Sequence, residues 1–331
     1  MVNRGHRKGA KSEMNWDEFE LSRLINHFNQ CNRVEGKSEK TITWYQERLN
    51  GFCYFLGLRQ ILPELGNLTL ENARCFISYE QNRKLSPFTV QGSARALKAF
   101  SSWLFREQFI ESNFLAQLKI PKAPVKVIKP LDDEEVNKLV SIQNPMTPLG
   151  SRNLAILLTF LGTGIRESEL CDLRLDQTNL DNGYFKVMGK GNKERIVPMG
   201  SLVQKVLWKY YFHFRPNPVN ERNDYMFLTL EGSQIKPNAI RLLFKRWGKK
   251  AGVPRLHAHL CRHTFTTNYL IHNCGDVFRL QQILGHTTLE MVRKYVHFAS
   301  GISLMQGSVV SPLDRMSLKS TRLTTFSKKA V

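Results

Sequence analysis

The sequence predicts a two-domain, mainly α-helical protein with a small antiparallel β-sheet in its second domain. The chain has 331 residues, more than the roughly 250–300 at which a single hydrophobic core stops growing. Apolar residues recur at helical spacing along most of this length. Two short β-rich runs, Tyr184–Met188 and Arg195–Met199, interrupt the pattern, and the Gly-Lys-Gly-Asn between them is typical of a hairpin turn.

The first domain is predicted to be a helical bundle over residues 14–118, after a basic extension of residues 1–13. One helix is introduced by Ser38 and Thr41, which can cap free backbone amides. Two later helices follow Thr69 and Ser86-Pro87. The last of these helices carries Arg95 and Lys98 on a different face from its apolar residues. We therefore expect a small bundle with one basic side.

The second domain is predicted to span residues 131–300. It follows a segment with three prolines, four lysines and no acid, residues 119–130, which cannot hold a helix and is interpreted as the interdomain linker. Acidic residues directly after the linker favour a helix start, and further helices are predicted at Ser151–Leu161 and Ser168–Leu175. The tail, residues 301–331, is interpreted either as disordered or as a docking segment.

Basic residues dominate the charge of the chain. It has 48 Lys and Arg against 28 Asp and Glu, a formal net charge of +20. This balance on a foldable chain indicates a polyanionic partner, most naturally nucleic acid, with an unusually soluble basic protein or a membrane-surface binder as alternatives. Six cysteines without paired spacing favour reduced thiols in a cytoplasmic protein. The sequence shows no signal peptide and no run of about 20 apolar residues.

One predicted helix carries a histidine and an arginine three residues apart, His259 and Arg262. This spacing places both side chains on one face, where they can reach the same phosphate. A core histidine beside a surface arginine would have the same spacing. Zinc binding is a further alternative, through four alternate residues of a strand: His257, His259, Cys261 and His263. The helical pattern that continues to Leu270 argues against that strand, and we expect no metal site.

A second arginine, Arg166, follows Thr163-Gly164, where glycine permits a tight turn before a helix. Held by Glu169, Arg166 would present a rigid fork to two phosphate oxygens; an ordinary salt bridge at a helix end is the alternative. The predicted hairpin adds Lys190 between two glycines. This stretch lacks the spacing of a P-loop and the Ser or Thr after its lysine, so we exclude nucleotide binding.

Taken in order along the chain, these residues resemble the catalytic set of tyrosine recombinases, the phage integrase family. The matching residues are Arg166, Lys190, His259, Arg262, His286 in Leu284-Gly285-His286, and Tyr295. The resemblance is close over residues 131–300, and the first domain is more weakly similar to the SAM-like core-binding domain of that family. Cys261 is a departure, because leucine is commoner at its position; we expect it on the inward side of the helix.

The resemblance implies a C-shaped clamp around duplex DNA and chemistry that needs neither a metal nor a cofactor. Tyr295 would attack a phosphodiester, forming a 3′-phosphotyrosyl link and releasing a 5′-hydroxyl. Arg166 and Arg262 would neutralise the nonbridging oxygens. Lys190 would protonate the leaving oxygen.

The remaining site residues have supporting roles in the implied mechanism. His259 would act as acid and base toward Tyr295, His286 would donate a hydrogen bond to the phosphate, and Glu169 would orient the side chains that contact the phosphate. The residues expected to contact DNA are Arg95, Lys98, Lys119, Lys122, Lys126, Lys129, Lys193 and Arg195.

The resemblance also implies an assembly of four protomers on two specific DNA sites, with accessory proteins as further partners. Integration or excision of a mobile element is the expected role. The alternatives are Xer-like resolution of DNA multimers, a type IB topoisomerase, and a DNA-binding regulator without catalysis.

Overall fold

The structure is a computed structural model that describes residues 20–124, 128–189, 194–220, 224–272 and 276–285. The chain divides into two compact units, residues 1–126 and 127–331, and this division falls within the predicted linker. None of the helices in the described ranges combines the length and the apolar character of a membrane span.

The described part of the first unit contains four α-helices and a short 3-10 helix (Leu65–Asn67). The α-helices are α1 (Leu21–Val34), α2 (Glu39–Leu58), α3 (Leu70–Asn82) and α4 (Pro87–Arg106). Three of them begin directly after Ser38, Thr69 and Ser86, where the sequence predicted helix starts. The hydroxyls of Ser38, Thr69 and Ser86 each accept a hydrogen bond from the backbone amide three residues later. Each such cap satisfies a backbone amide that has no partner within the helix.

Aromatic side chains form much of the core of this first unit. Phe28 and Phe100 pack edge to face, with ring centroids 5.5 Å apart, and so do Phe52 and Phe76 at the same distance. Each of the four is at most 3% exposed, and each buried ring contributes about 1.5–3 kcal/mol of hydrophobic stabilisation. The apolar face predicted for α4 is buried, and Arg95 lies exposed on another face.

The second unit contains seven α-helices, one π-helix (Tyr210–Phe214) and three strands in its described part. The helices are α5 (Asp133–Ser141), α6 (Pro148–Thr163), α7 (Glu167–Cys171), α8 (Ser201–Lys209), α9 (Pro237–Ala251), α10 (Ala258–His272) and α11 (Val277–Leu284). The strands are β1 (Thr178–Asn179), β2 (Tyr184–Met188) and β3 (Glu194–Pro198). Asp132 and Glu135 form a capping box at the start of α5, where the sequence predicted an acidic helix start.

The strands form one antiparallel sheet in the order β1-β2-β3. Phe185 pairs with Val197 and Val187 pairs with Arg195, so the predicted pairing of β2 with β3 is confirmed. β1 was not predicted, because two residues are too few to show an alternating pattern.

The helix predicted over Ser168–Leu175 was wrong at its carboxyl end. α7 stops at Cys171, because the chain that follows bonds to a distant segment. The Met226 amide donates to the Leu173 carbonyl at 2.7 Å. The Leu175 amide donates to the Asp224 carbonyl at 2.8 Å. Long-range backbone pairing therefore replaces the last helical turn.

The described parts of the predicted linker, residues 119–124 and 128–130, contain neither helix nor strand, as the prolines predicted. Their backbone is held by side chains of the adjoining unit at each end. Gln91 of α4 donates to the Pro121 carbonyl at 3.0 Å. His263 of α10 is hydrogen-bonded through Nε2 to the Ile128 carbonyl.

Candidate active site

A buried glutamate, Glu169, joins two arginine side chains in the second unit. Its side chain is 5% exposed, and its oxygens accept four hydrogen bonds. Arg166 donates from Nη1 at 2.7 Å and from its backbone amide at 2.9 Å. Arg195 donates from Nη1 and Nη2, both at 2.7 Å. These short, charge-assisted bonds hold both guanidinium groups in fixed positions, and the predicted contact between Glu169 and Arg166 is present.

Local backbone geometry explains how Arg166 reaches Glu169. Helix α6 ends at Gly164, whose φ of +63° is a left-handed conformation that glycine adopts without strain. The chain then turns so that Arg166 is the residue before α7 and Glu169 accepts its amide. The side chain of Arg166 is 31% exposed, so an anion in solvent can reach it.

Arg195 was expected to contact DNA from the surface, but its side chain lies inside the second unit. Its side chain is only 10% exposed. Nη1 and Nη2 donate to Glu169, and Nε donates to the Ile283 carbonyl at 2.8 Å. All three nitrogens of the guanidinium are thus bound inside the unit. The structure therefore does not place Arg195 on the exposed surface that the expected DNA contact requires.

Helix α10 carries His259 and Arg262 three residues apart. Arg262 is 5% exposed. It donates from Nη1 to the Gly164 carbonyl at 2.7 Å and from Nη2 to the Leu284 carbonyl at 2.9 Å. His259 is exposed near the start of the same helix. A buried guanidinium and an accessible imidazole are therefore neighbours on α10.

The helical conformation of α10 separates the residues of the zinc alternative. Cys261 and His263 are buried, whereas His257 and His259 are exposed. Cys261 faces inward, as expected for the position at which it departs from the family pattern, and burial raises the pKa of its thiol.

Arg166, Arg195 and Arg262 share one feature, because each donates to a different carbonyl at the end of α11. The carbonyl oxygens of residues 283, 284 and 285 accept from Arg195, Arg262 and Arg166 at 2.8, 2.9 and 3.0 Å. Carbonyls in the last turn of a helix have no partner within the helix and carry the negative end of its dipole. The end of α11 thus anchors all three guanidinium groups, and Gly285 closes it with a φ of +62°.

The charges of the site shift two pKa values. Burial by itself would raise the pKa of Glu169, but the hydrogen bonds and charge of Arg195, followed by those of Arg166, hold it below its ordinary value. Glu169 is therefore an anion at neutral pH. The pKa of His259 is lowered by the loss of part of the water around its ring and then by the charge of Arg262, so its ring is mostly neutral at pH 7.

Several predicted site residues lie outside the described residues. They are the catalytic candidates Lys190, His286 and Tyr295, the DNA-contact candidates Lys126 and Lys193, and the tail, residues 301–331. Two of them are close in the sequence to described elements, because Lys190 lies between β2 and β3 and His286 directly follows Gly285.

The remaining candidate DNA contacts differ in their surroundings. Arg95, Lys119, Lys122 and Lys129 are exposed, and Lys129 lies 3.3 Å from Asp132. Lys98 is half-buried, and its Nζ donates to the Ala116 and Leu118 carbonyls at 2.7 and 3.1 Å. Lys98 therefore fixes the end of the first unit, a role that the sequence pattern did not indicate.

The inward position of Arg195 was missed, although the sequence contains a signal for it. Side chains alternate between the two faces of a strand, so Arg195 shares a face with Val197, two residues later. Val197 is fully buried. An arginine on the inward face of a strand requires a buried partner of opposite charge, and Glu169 is that partner.

Comparison with known proteins agrees with this geometry. Residues 129–301 match the sequence profile of the Phage integrase family. The chain is 30% identical over 281 residues to the tyrosine recombinase XerC of Bacillus pumilus, covering 83% of this chain and 92% of that protein. It is also 30% identical over 281 residues to the tyrosine recombinase XerD of Listeria monocytogenes, covering 84% of this chain and 94% of that protein.

A solved structure has the same fold. The XerH site-specific recombinase bound to a palindromic difH substrate superposes with a TM-score of 0.66 at 22% identity, covering 85% of this chain and 86% of that chain. The match with the family covers more than half of the chain and includes Arg166, Glu169, His259 and Arg262. The chain therefore belongs to the phage integrase family and is a tyrosine recombinase, an enzyme that cleaves and rejoins DNA.

Proposed function

We propose that this enzyme recombines specific DNA sites through a 3′-phosphotyrosyl intermediate, with Tyr295 as the nucleophile. The observation that supports this most is the fixed arrangement of Arg166 and Arg262, which are joined through the carbonyls at the end of α11. Two guanidinium groups held beforehand can neutralise charge that develops on nonbridging phosphate oxygens without rearranging during the reaction. Catalysis then needs neither a metal nor a cofactor.

Proton transfer is assigned to three further residues. Phenols have an ordinary pKa of about 10, so Tyr295 must lose a proton as it attacks. His259 is neutral at pH 7 because its pKa is lowered, and it accepts this proton as a general base. Lys190 donates a proton to the 5′-oxygen that leaves. His286, one residue after the anchored Gly285, donates a hydrogen bond to the phosphate.

The proposed partner is duplex DNA that carries specific sites, bound by four protomers as two paired sites, with accessory proteins as further partners. The net charge of +20 supports binding to a polyanion. The exposed cations Arg95, Lys119, Lys122 and Lys129 are proposed phosphate contacts, and Lys126 and Lys193 remain proposed contacts from the sequence. The clamp around the duplex also remains a proposal, and so does action in the cytoplasm.

The biological role has two candidates. Movement of a mobile element is the role expected from the sequence. Xer-like resolution of DNA multimers is favoured by the named relatives XerC and XerD, which match over more than four fifths of this chain. The two roles differ in the DNA sites they require. Resolution of a plasmid dimer needs two directly repeated identical sites, whereas integration joins two different sites. Recombination of plasmids that carry either pair of sites therefore separates the two roles.

The test of the chemistry uses a nicked duplex that carries a site selected by binding from random DNA. Cleavage next to the nick releases a short strand, so the covalent complex accumulates and is detected on a denaturing gel. The wild-type enzyme is expected to form this complex, and Tyr295→Phe is expected to bind the duplex with equal affinity and form none. A covalent complex with Tyr295→Phe would assign the nucleophile to another residue.

A second measurement distinguishes a recombinase from a type IB topoisomerase and from a DNA-binding regulator without catalysis. The topoisomerase would relax a supercoiled plasmid that has no second site, whereas recombination requires paired sites. The regulator would give no covalent complex at any site. Recombined products that appear only with paired sites are the result expected here.

A further inference from the structure

Arg195 connects three elements of the second unit. It is carried by β3, its Nη1 and Nη2 bind Glu169 of α7, and its Nε binds the Ile283 carbonyl at the end of α11. The bonds to Glu169 and Ile283 are 2.7 and 2.8 Å long, and the side chain is 10% exposed. No sequence motif described above gives Arg195 a part in the chemistry.

The two described partners of the Arg166 guanidinium are both contacted by Arg195 in turn. Arg166 donates to Glu169 Oε1 and to the Gly285 carbonyl. Arg195 donates to the same Oε1. It also packs against Gly285 so closely that a Cβ added there would lie 2.9 Å from Arg195 Cδ. Any movement of Arg195 would therefore loosen both supports of Arg166.

We infer that Arg195 is a positioning residue for DNA cleavage, holding Glu169 and the end of α11 so that Arg166 is aimed at the scissile phosphate. The inference rests on the proposed function of Arg166. It assigns Arg195 a role inside the catalytic unit, in place of the DNA contact that its position in a basic hairpin suggested.

The chemistry of the guanidinium explains why an arginine is present. Its planar fork can donate two parallel bonds to one carboxylate and a third bond from Nε in another direction. A lysine has a single nitrogen and cannot reach Glu169 and Ile283 in this way. Arg195 also lowers the pKa of Glu169 more than Arg166 does, which keeps Glu169 charged for its bond to Arg166.

The test measures cleavage and DNA binding separately, in the full-length enzyme on the nicked duplex. Arg195→Ala is expected to slow single-turnover cleavage at saturating DNA at least about tenfold, because loss of one donor that stabilises an oxyanion slows enzymes by about 10²–10³. Its equilibrium affinity for the duplex is expected to stay within about twofold of the wild type. Arg195→Lys restores the charge without the fork and is expected to restore only part of the rate.

A matched control removes another arginine ion pair of the same unit. Arg174 is paired with Asp224 and lies over the ring of Tyr225, at 4.8 Å from its centroid. Arg174→Ala loses the same charge and the same type of side chain. It is expected to cleave at the wild-type rate, which excludes a general effect of losing one positive charge.

A neutral substrate provides a readout that loss of stability would not change. A methylphosphonate at the scissile position lacks one charged nonbridging oxygen, so the aim of Arg166 at that oxygen loses importance. The ratio of the wild-type cleavage rate to that of Arg195→Ala is expected to be severalfold smaller on this substrate than on the charged one. A variant that was only less stable would show the same defect on both substrates.

Three results would overturn the inference while leaving the proposed function intact, provided that the wild-type enzyme forms the covalent complex. The first is weaker DNA binding by Arg195→Ala with normal cleavage at saturation, which would make Arg195 a DNA contact. The second is an equal defect on the charged and the neutral substrate. The third is cleavage by Arg195→Ala at the wild-type rate.

Discussion

Among the residues that the structure describes, each unit buries one glutamate, and the surroundings of the two carboxylates are opposite. Glu169 of the second unit receives three side-chain bonds from two arginines. Glu80 of the first unit is 6% exposed, and its Oε1 accepts a bond from the Ser93 hydroxyl at 2.9 Å. Its Oε2 has no hydrogen-bond partner among the described residues. The pKa of Glu169 is lowered, whereas burial raises the pKa of Glu80.

The contrast shows what burial alone does to a carboxylate and what paired cations change. A carboxylate removed from water without a cation bonded to it is destabilised in its charged form. The charges of Arg48 and Arg83 act on Glu80, but burial outweighs them. Two guanidinium groups compensate for that loss and turn the carboxylate into a fixed anion that determines where they lie. Glu169 can thus organise a charged site, whereas Glu80 belongs to the packing of a helical bundle.

The largest expected effect comes from removing the charge of Glu169, with the same change at Glu80 as the comparison. Glu169→Gln leaves two guanidinium groups without their anion, which costs about 3–5 kcal/mol when a buried pair is broken, and cleavage is expected to fall with it. Glu80→Gln keeps the shape of a side chain whose charged form is disfavoured, so stability at pH 7 is expected to change by less than about 1 kcal/mol. The free energy of unfolding of both variants is measured by denaturant titration at pH 7.

Equal losses of stability in Glu169→Gln and Glu80→Gln would contradict the comparison of the two glutamates. They would show that burial alone, and not the paired arginines, determines how much each carboxylate contributes to stability. Cleavage by Glu169→Gln at the wild-type rate would separate stability from the arrangement of the site.

The next effect in size comes from moving Arg195 without changing it. Gly285→Ala places a methyl group 2.9 Å from Arg195 Cδ at a backbone φ of +62°. Gly252→Ala has a similar φ of +72° and meets no atom within 4 Å, so it serves as the control for backbone strain. The free energy of unfolding should fall by about 1–2 kcal/mol in both variants because alanine is strained in the left-handed conformation. It should fall by about 1–3 kcal/mol more in Gly285→Ala because the added methyl group overpacks the site.

Cleavage distinguishes the two glycine variants more clearly than stability does. Gly285→Ala is expected to slow cleavage, because it displaces the contact between Arg195 and the end of α11, whereas Gly252→Ala should cleave normally. Equal rates for the two variants would show that the position of Arg195 tolerates this displacement.

The smallest effect is the dependence of stability on pH. The folded-state pKa of Glu80 is raised above its ordinary value of 4.5, so its protonated form stabilises the fold below that value, and this contribution is lost as pH rises through the raised pKa. Glu169 behaves oppositely: its contribution is present above the ordinary value and is lost as pH falls through the lowered pKa. The stability advantage of Glu80→Gln over the wild type should therefore grow from about pH 4 to pH 7. A constant difference over this range would refute the assignment.

The sequence predicted what depends on local spacing. The helix starts after Ser38, Thr69 and Ser86, the apolar faces of the helices that follow them, and the pairing of β2 with β3 all depend on residues that are close together in the sequence. The contact of Arg166 with Glu169 belongs to this class, because the two residues are three positions apart.

The features that the sequence did not predict depend on distant segments. Arg195 and Glu169 are 26 positions apart, and Arg262 and Gly164 are 98 apart. Only the folded chain brings such pairs together. The early end of α7 has the same origin, because the residues after Cys171 pair with residues 224–226. Lys98 was likewise taken for a surface cation because its backbone partners, Ala116 and Leu118, cannot be recognised from residue type.

The anchoring of the three arginines on the end of α11 separates two responses to ionic strength. Interactions between exposed charges and DNA phosphates weaken steeply as salt is added, because bound counterions are no longer released at a gain. Arg195 and Arg262 are buried at 10% and 5% exposure, where dissolved ions screen little. Added salt should therefore decide whether the enzyme is on DNA but hardly alter the geometry with which a bound enzyme meets the phosphate.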